Sequence, residues 1–274
     1  MRSAITISQV PEAAGGPFVL RGSLREAIAS AAACGFDAVE LFLPGPDFLD
    51  PAEVLELVAG HGVSIAAVGT GAGALCHGLT LLDPDPLRRE QAVEFLLRMV
   101  GFGGRLGAPA ILGSVQGRQA AGMERAEALD IMAAALERCS AAAAHWGVGF
   151  IYEPLNRYET NVFNQLEKAA AFLAERGLER VCLLADLFHM NIEERDIAAA
   201  LRGAGRWVGH VHFADSNRQA MGFGHTDPVP VLAALREIGY QGYLSAEILP
   251  LPDPLTAARQ TIESIRAALA ACPE

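Results

Sequence analysis

The chain has no C-x-x-C pair, and its five cysteines, Cys34, Cys76, Cys139, Cys182 and Cys272, are odd in number and scattered. That excludes a disulfide framework and a cysteine zinc site, so each is read as a reduced structural thiol. No run of Lys or Arg is present, and the formal net charge is −11. Repulsion from phosphate backbones therefore has no local basic patch to overcome it, and nucleic acid is not an expected partner. No apolar stretch reaches the length of a membrane span, and the opening MRSAITISQV lacks the apolar core and cleavage site of a signal peptide. A cytoplasmic protein without a membrane partner is expected. Low-complexity tracts and linker-like shifts in composition are also missing. The loop QVPEAAGGPF after the first strand-like run has no G-x-G-x-x-G, which argues against an open dinucleotide-binding sheet.

What is there is apolar and periodic. With 274 residues, 51% hydrophobic and 19% charged, the chain can bury one large core unaided. Eight short apolar runs read as parallel strands covered on both faces: Ala4–Ser8, Ala38–Leu43, Ser64–Val68, Ala110–Gly113, Val148–Tyr152, Val181–Ala185, Val208–Phe213 and Tyr243–Ile248. Helical patterns lie between them. Ser23 with Glu26, and Asn164 with Glu167, fit capping boxes; Asp50, Asp85, Asp227 and Asp253 each precede a proline as N-cap acids. Glycines 35, 62, 107, 147, 177 and 239 stand at C-cap positions. Eight βα units close most naturally into a single (β/α)₈ TIM barrel over residues 1–274, with its active site on the loops after the strands. Gly69–Gly73 is read as a flexible loop over that site, with no helix signal until about Asp85.

Four side chains, Glu153, Asp186, His212 and Glu247, stand at the exits of GVGFIYEP, RVCLLADLFH, RWVGHVHFAD and GYLSAEILP. In the barrel they fall at the ends of strands five to eight and point into one mouth. A carboxylate behind a buried strand costs several kcal/mol unless compensated, and three carboxylates with one imidazole are best compensated by a divalent cation. Oxygen-rich ligation suits Mn²⁺, Mg²⁺ or Co²⁺, with Zn²⁺ as a further option. Asn156, Arg157, Glu159, His189, Asp215, Asn217, Arg218, His225 and Asp227 follow the same strands and suit a hydroxyl-rich ligand. His210 is assigned to the opposite face of its strand from His212, as a packing residue. Glu40 either lines the mouth or forms an internal ion pair. His61, His77 and His145 are read as surface or loop residues.

The segments YEPLNRYETN (152–161), ADLFHMNIEE (185–194), HVHFADSNR (210–218), GFGHTD (222–227) and SAEILP (245–250) closely resemble the ketose 3-epimerase group of the xylose-isomerase-like TIM barrels. Within that group AVGTGAGALCHGLTL (67–81) and ILGSVQGR (111–118) look most like the 5-keto-L-gluconate epimerase branch, which acts on a keto-uronate and forms D-tagaturonate. The resemblance implies one divalent metal ion, Mn²⁺ first, on Glu153, Asp186, His212 and Glu247. It further implies Glu153 and Glu247 as the acid/base pair, and Glu159, His189 and Arg218 on substrate oxygens. The substrate would be a small sugar or sugar acid, and self-association as a dimer or tetramer is expected, as in similar enzymes. For a keto acid, Arg118 is the candidate carboxylate partner. A D-tagatose or D-psicose type 3-epimerase, or an aldose–ketose isomerase or dehydratase, would use the same site. Gln219-Ala220-Met221-Gly222-Phe223 replaces the aromatic residue and proline that relatives commonly carry, so the wall there differs.

Overall fold

The computed structural model describes residues 1–272; residues 273 and 274, the end of the expected domain, lie outside that range. The eight apolar runs form β1 (Arg2–Ser8), β2 (Ala38–Phe42), β3 (Ser64–Gly69), β4 (Ala110–Leu112), β5 (Phe150–Tyr152), β6 (Val181–Asp186), β7 (Val208–His212) and β8 (Tyr243–Ala246). Each pairs in parallel with the next, and β8 pairs with β1, so the sheet closes into a TIM barrel. Among the described residues ten α-helices run between and around them: α1 (Leu24–Cys34), α2 (Pro51–His61), α3 (Ala72–His77), α4 (Pro86–Arg105), α5 (Arg125–His145), α6 (Leu166–Glu175), α7 (Leu187–Glu193), α8 (Ile197–Ala204), α9 (Pro228–Glu237) and α10 (Pro254–Ala271). None of them is long and apolar enough to cross a membrane.

The expected helix punctuation is largely in place. Ser23 Oγ accepts the Glu26 N–H, and Asp50, Asp85, Asp227 and Asp253 each accept an N–H of the first turn. A cap of this kind is worth about 1 kcal/mol. All six C-cap glycines have positive φ, between 66° and 87°. Asn164 does not cap: α6 starts one residue later, at Gln165, and the Asn164 amide instead donates to the carbonyls of Leu155 and Thr160. The reason is a competing cap from outside, since Glu194 Oε1 accepts the Leu166 N–H at 2.7 Å.

Residues two apart on a strand share a face. On the inner face, Ala4, Ala38 and Ala66 pack with Tyr243 in one group, and Ala67, Ile111, Ile151 and Leu184 in another. The same parity carries Glu40, Glu153, Asp186, His210, His212 and Glu247 inward. His210 therefore points into the barrel, not to the opposite face from His212, because an interval of two residues preserves the side. The outer faces of the strands and the helices form the main apolar mantle, with Tyr152, Phe150, Phe102 and Phe213 fully buried.

Gly69–Gly73 is not the flexible loop that was expected. Helix α3 begins at Ala72, and a Cβ on Gly73 would lie within 3 Å of Phe95 and Val115. Its N-cap is Gly71, which has no side chain to cap with, so no residue announces the helix in the sequence.

Candidate active site

Asp186 and His212 are the last residues of β6 and β7 and are register partners. Glu153 and Glu247 each stand one residue past the end of β5 and β8. His212 Nδ1 is the hub: Asp186 Oδ2 lies 3.4 Å away, Glu153 Oε1 3.7 Å and Glu247 Oε2 3.8 Å. Glu153, Asp186 and His212 bring ligand atoms within 4.8 Å of one another, while Glu247 is drawn toward the Arg218 guanidinium by an ion pair. Asp186 splits its two oxygens. Oδ1 caps α7 by accepting the Phe188 N–H at 2.8 Å, which leaves Oδ2 facing the cluster.

Such separations are those of donors that can share one cation at about 2.1 Å. Burial first of all pushes the Glu153 carboxyl well above the usual carboxylate range, and Glu247 and Asp186 add to it, against His212 and Arg218. Burial would raise Asp186 too, but His189, His212 and Arg218 outweigh it and hold its carboxyl low. Burial would lower His212; the carboxylates of Glu40, Glu247 and Asp186 carry it well above the ordinary imidazole value. Three carboxylates, Glu153 and Asp186 buried and Glu247 partly so, converge with one buried imidazole nitrogen, a donor set that fits a divalent cation.

Behind the cluster sits a second group that the sequence reading left undecided. Glu40 reaches across the lumen and accepts from His210 Nε2 at 2.8 Å, His212 Nε2 at 3.1 Å, Ser245 Oγ at 3.0 Å and Thr6 Oγ1 at 3.4 Å. Its carboxyl is held low: burial opposes ionisation, but the two imidazoles prevail. Glu40, His210 and His212 also have metal-ligand proximity. At 2.8 and 3.1 Å their contacts are direct hydrogen bonds, which leave no room for an ion between the partners. Glu40 therefore accepts a hydrogen bond from His212 Nε2–H and turns Nδ1 toward the carboxylates, the support a ligating histidine usually has.

His189, in α7, has its tautomer fixed by Asn156, whose backbone N–H and side-chain amide both approach Nδ1, at 3.3 and 2.7 Å. Nδ1 is thus the acceptor and Nε2–H the donor, aimed at Glu153 Oε1 and Asp186 Oδ2 at 3.9 and 3.6 Å. Burial lowers its pKa and keeps the ring neutral. Glu159 is joined to the same Asn156, Oε1 accepting from Nδ2 at 3.1 Å.

Arg218 is the one non-glycine residue with positive φ, 59°, among the described residues. Its guanidinium lies over the Phe188 ring at 4.9 Å and 3.8 Å from Asp186, and its buried Nε has no partner. Asp215 imposes that backbone. Fully buried, it accepts the N–H groups of Ser216, Gly222, Gly224 and Thr226 at 2.6 to 2.9 Å and folds the loop around itself. Asn217 and His225 bond within that loop and Asp227 caps α9, so they build the turn and do not face the cavity. Arg157 pairs with Glu193, at 2.9 Å.

These side chains share a cavity of about 610 Å³ whose opposite wall includes Glu12, Pro17, Phe18, Phe42 and Leu75. Glu153, Glu159, His189, His212, Arg218, Glu247 and Glu40 all line it. Arg118 does not. It is exposed and donates to the carbonyls of Arg157 and Tyr158, at 3.3 and 3.2 Å. His61 and His77 bond backbone carbonyls elsewhere, and His145 stands beside Trp146.

Gly113, just past β4, leaves the space in which Glu153 rests: a Cβ there would lie 2.5 Å from Oε2. That oxygen is the free end of a flexible side chain, so a methyl group would displace it at little cost in stability. Where Glu153 is a reacting group, Gly113→Ala is expected to lower activity roughly ten- to a hundredfold, since displacement of such a group by about 1 Å is enough, with the melting temperature little changed. Activity within twofold of the parent would show that Glu153 tolerates the shift.

A closed eight-stranded barrel with a carboxylate–imidazole centre at the exits of strands five to eight defines a class of barrel proteins, and residues 28–268 match the family model described as xylose isomerase-like TIM barrel. The chain belongs to that family. It is 30% identical over 233 residues to the L-ribulose 3-epimerase of Mesorhizobium japonicum, covering 83% of this chain and 76% of that protein. Over 125 residues it is 38% identical to the 3-dehydro-D-guloside 4-epimerase of Escherichia coli, 45% of this chain and 48% of that one. The crystal structure of a D-allulose 3-epimerase from Methylomonas sp. superposes with a TM-score of 0.81 at 27% identity, covering 98% of both chains.

Proposed function

We propose that the protein is a divalent-metal-dependent isomerase that inverts the carbon next to the ketone of an uncharged ketose, carbon 3 by the pattern of its relatives. The observation that carries this reading is the pair Glu153 and Glu247, on strands three places apart, each within 3.8 Å of His212 Nδ1. Glu153, Asp186, His212 and Glu247 would hold the cation, and the oxygen-rich set suits Mn²⁺ ahead of Mg²⁺, Co²⁺ or Zn²⁺. Bound there, it supplies a Lewis acid for the carbonyl and neighbouring hydroxyl of the substrate.

The chain's own residues do the rest. One glutamate removes the proton from the carbon between ketone and hydroxyl, and the other delivers a proton to the opposite face of the enediolate, so one carboxyl gains the proton that its partner loses. The two stand in different surroundings: Glu153 is buried, which favours its protonated form, and Glu247 is paired with Arg218. His189 Nε2–H and the Arg218 guanidinium, both in the cavity wall, are donors for the developing negative oxygen. Glu159, aligned by Asn156, offers an acceptor to hydroxyls.

The lining also favours an uncharged ketose over a keto-uronate. Arg218 is its only arginine and is already engaged by Glu247, whereas Glu12 and Glu159 add negative charge to the walls. Arg118, the partner proposed for a carboxylate, lies outside.

The test is incubation of the protein, loaded with Mn²⁺, Mg²⁺ or Co²⁺, with free ketoses in D₂O. Deuterium at the inverted carbon and a ketose epimer in the NMR spectrum are expected, lost on chelation and restored by the cation. An aldose or dehydrated product would reassign the reaction. Sugar binding without exchange at high protein concentration would remove catalysis.

A further inference from the structure

We propose that Gln116 is a positioning residue for Glu153, acting from behind the barrel wall. The ladder between β4 and β5 ends with Leu112 opposite Tyr152, and the Glu153 N–H still donates to the Leu112 carbonyl at 3.0 Å. One residue further, no backbone hydrogen bond joins the two strand exits. There the side-chain amide of Gln116 takes over, Nε2 donating to the Gly113 carbonyl at 3.0 Å and to the Glu153 carbonyl at 2.9 Å. One NH₂ group thus ties the two strand exits whose backbones carry the Glu153 carboxylate and the space it occupies, for Oε2 packs where a Gly113 Cβ would stand.

The amide cannot turn over. Tyr152 Oη donates to Gln116 Oε1 at 3.0 Å, which fixes the oxygen at one end and the NH₂ at the other. Gln116 and Tyr152 are both fully buried, so no water competes for these bonds. Neither touches the cavity or a reacting atom. Gln116 itself is held by its own N–H, which donates to the same Gly113 carbonyl at 3.0 Å. The network braces the backbone from which the Glu153 carboxylate projects, and its loss lets Glu153 drift while leaving the rest of the site in place.

The inference rests on reading Glu153 as a cation ligand and proton carrier. Its test uses Co²⁺ alone as probe, titrated into the metal-free full-length protein and followed by visible absorption, with kcat and KM measured at saturating Co²⁺. Gln116→Met nearly keeps the volume and removes both donors. It is expected to weaken Co²⁺ binding about ten- to a hundredfold and to lower kcat about tenfold or more, with KM within about threefold, the scale on which support of a metal ligand matters. The Co²⁺ absorption bands shift with it. Tyr152→Phe removes a single hydroxyl and moves the same readouts by a smaller factor; it decides the matter if Gln116→Met does not fold. Co²⁺ affinity, spectrum and kcat all within twofold of the parent, in either folded variant, overturn the inference. If Glu153→Gln binds Co²⁺ as the parent does, the assignment of Glu153 fails first, and the role of Gln116 falls with it by a route the Gln116 data alone would not show.

Discussion

Replacement of Glu247 by glutamine is expected to lower turnover by about a thousandfold or more. General acid–base catalysis contributes roughly 10² to 10⁴ in rate, and the amide neither accepts the substrate proton nor balances Arg218. The side chain retains its size, so folding should survive; its partner Arg218 keeps Asp186 at 3.8 Å and Glu159 at 3.9 Å. Glu153→Gln should cost a similar factor for a different reason. This residue is buried beside the like charges of Glu247 and Asp186, and the neutral amide mimics its protonated form but cannot release a proton. Loss of affinity for the cation is separated from loss of proton transfer by measuring each variant across a metal titration. Turnover above a tenth of the parent in Glu247→Gln, at saturating metal, would remove the two-carboxylate mechanism.

The barrel was legible because each βα unit repeats the same local grammar. Asp50, Asp85, Asp227 and Asp253 begin helices with a side chain and a proline, and the glycines at 35, 62 and 107 end them in a left-handed residue. Such signals act within four residues of chain. The four strand-end groups were legible for another local reason, the cost of a charge directly behind an apolar run. What could not be read is what crosses the lumen. Glu40 and His210 are 170 residues apart in the chain and 2.8 Å apart in space, and only closure of the sheet brings them together. The inward direction of His210 was available from strand periodicity alone. Gln116 gave no signal at all: a glutamine in a loop becomes a brace only once Gly113 and Tyr152 are beside it. Arg118 shows the reverse failure, since a cation on the correct loop can still bond its neighbours' carbonyls outside the cavity.

The fate of Arg118 bears on the last expectation, which concerns charge on the substrate. For two substrates alike at the reacting carbon, one ending in CH₂OH and the other in COO⁻, kcat/KM should favour the uncharged sugar by about a hundredfold or more. Juxtaposed like charges cost several kcal/mol, and buried charge without a partner costs as much again. Glu12 and Glu159 line the cavity, and the only arginine there is bonded to Glu247. A smaller share comes from the net charge of −11, which slows the approach of anions and is screened by salt over about 10 Å at 0.1 M. The preference should therefore narrow severalfold between low and high ionic strength and then level off, the residue being the cavity's own contribution. Arg118→Ala distinguishes the two readings directly. With the arginine outside the cavity, it should leave kcat/KM for both substrates within about twofold, as for most surface changes. A keto-uronate turned over as well as the ketose, with a tenfold or greater loss confined to the acid in Arg118→Ala, would instead bring that arginine into the site when substrate binds.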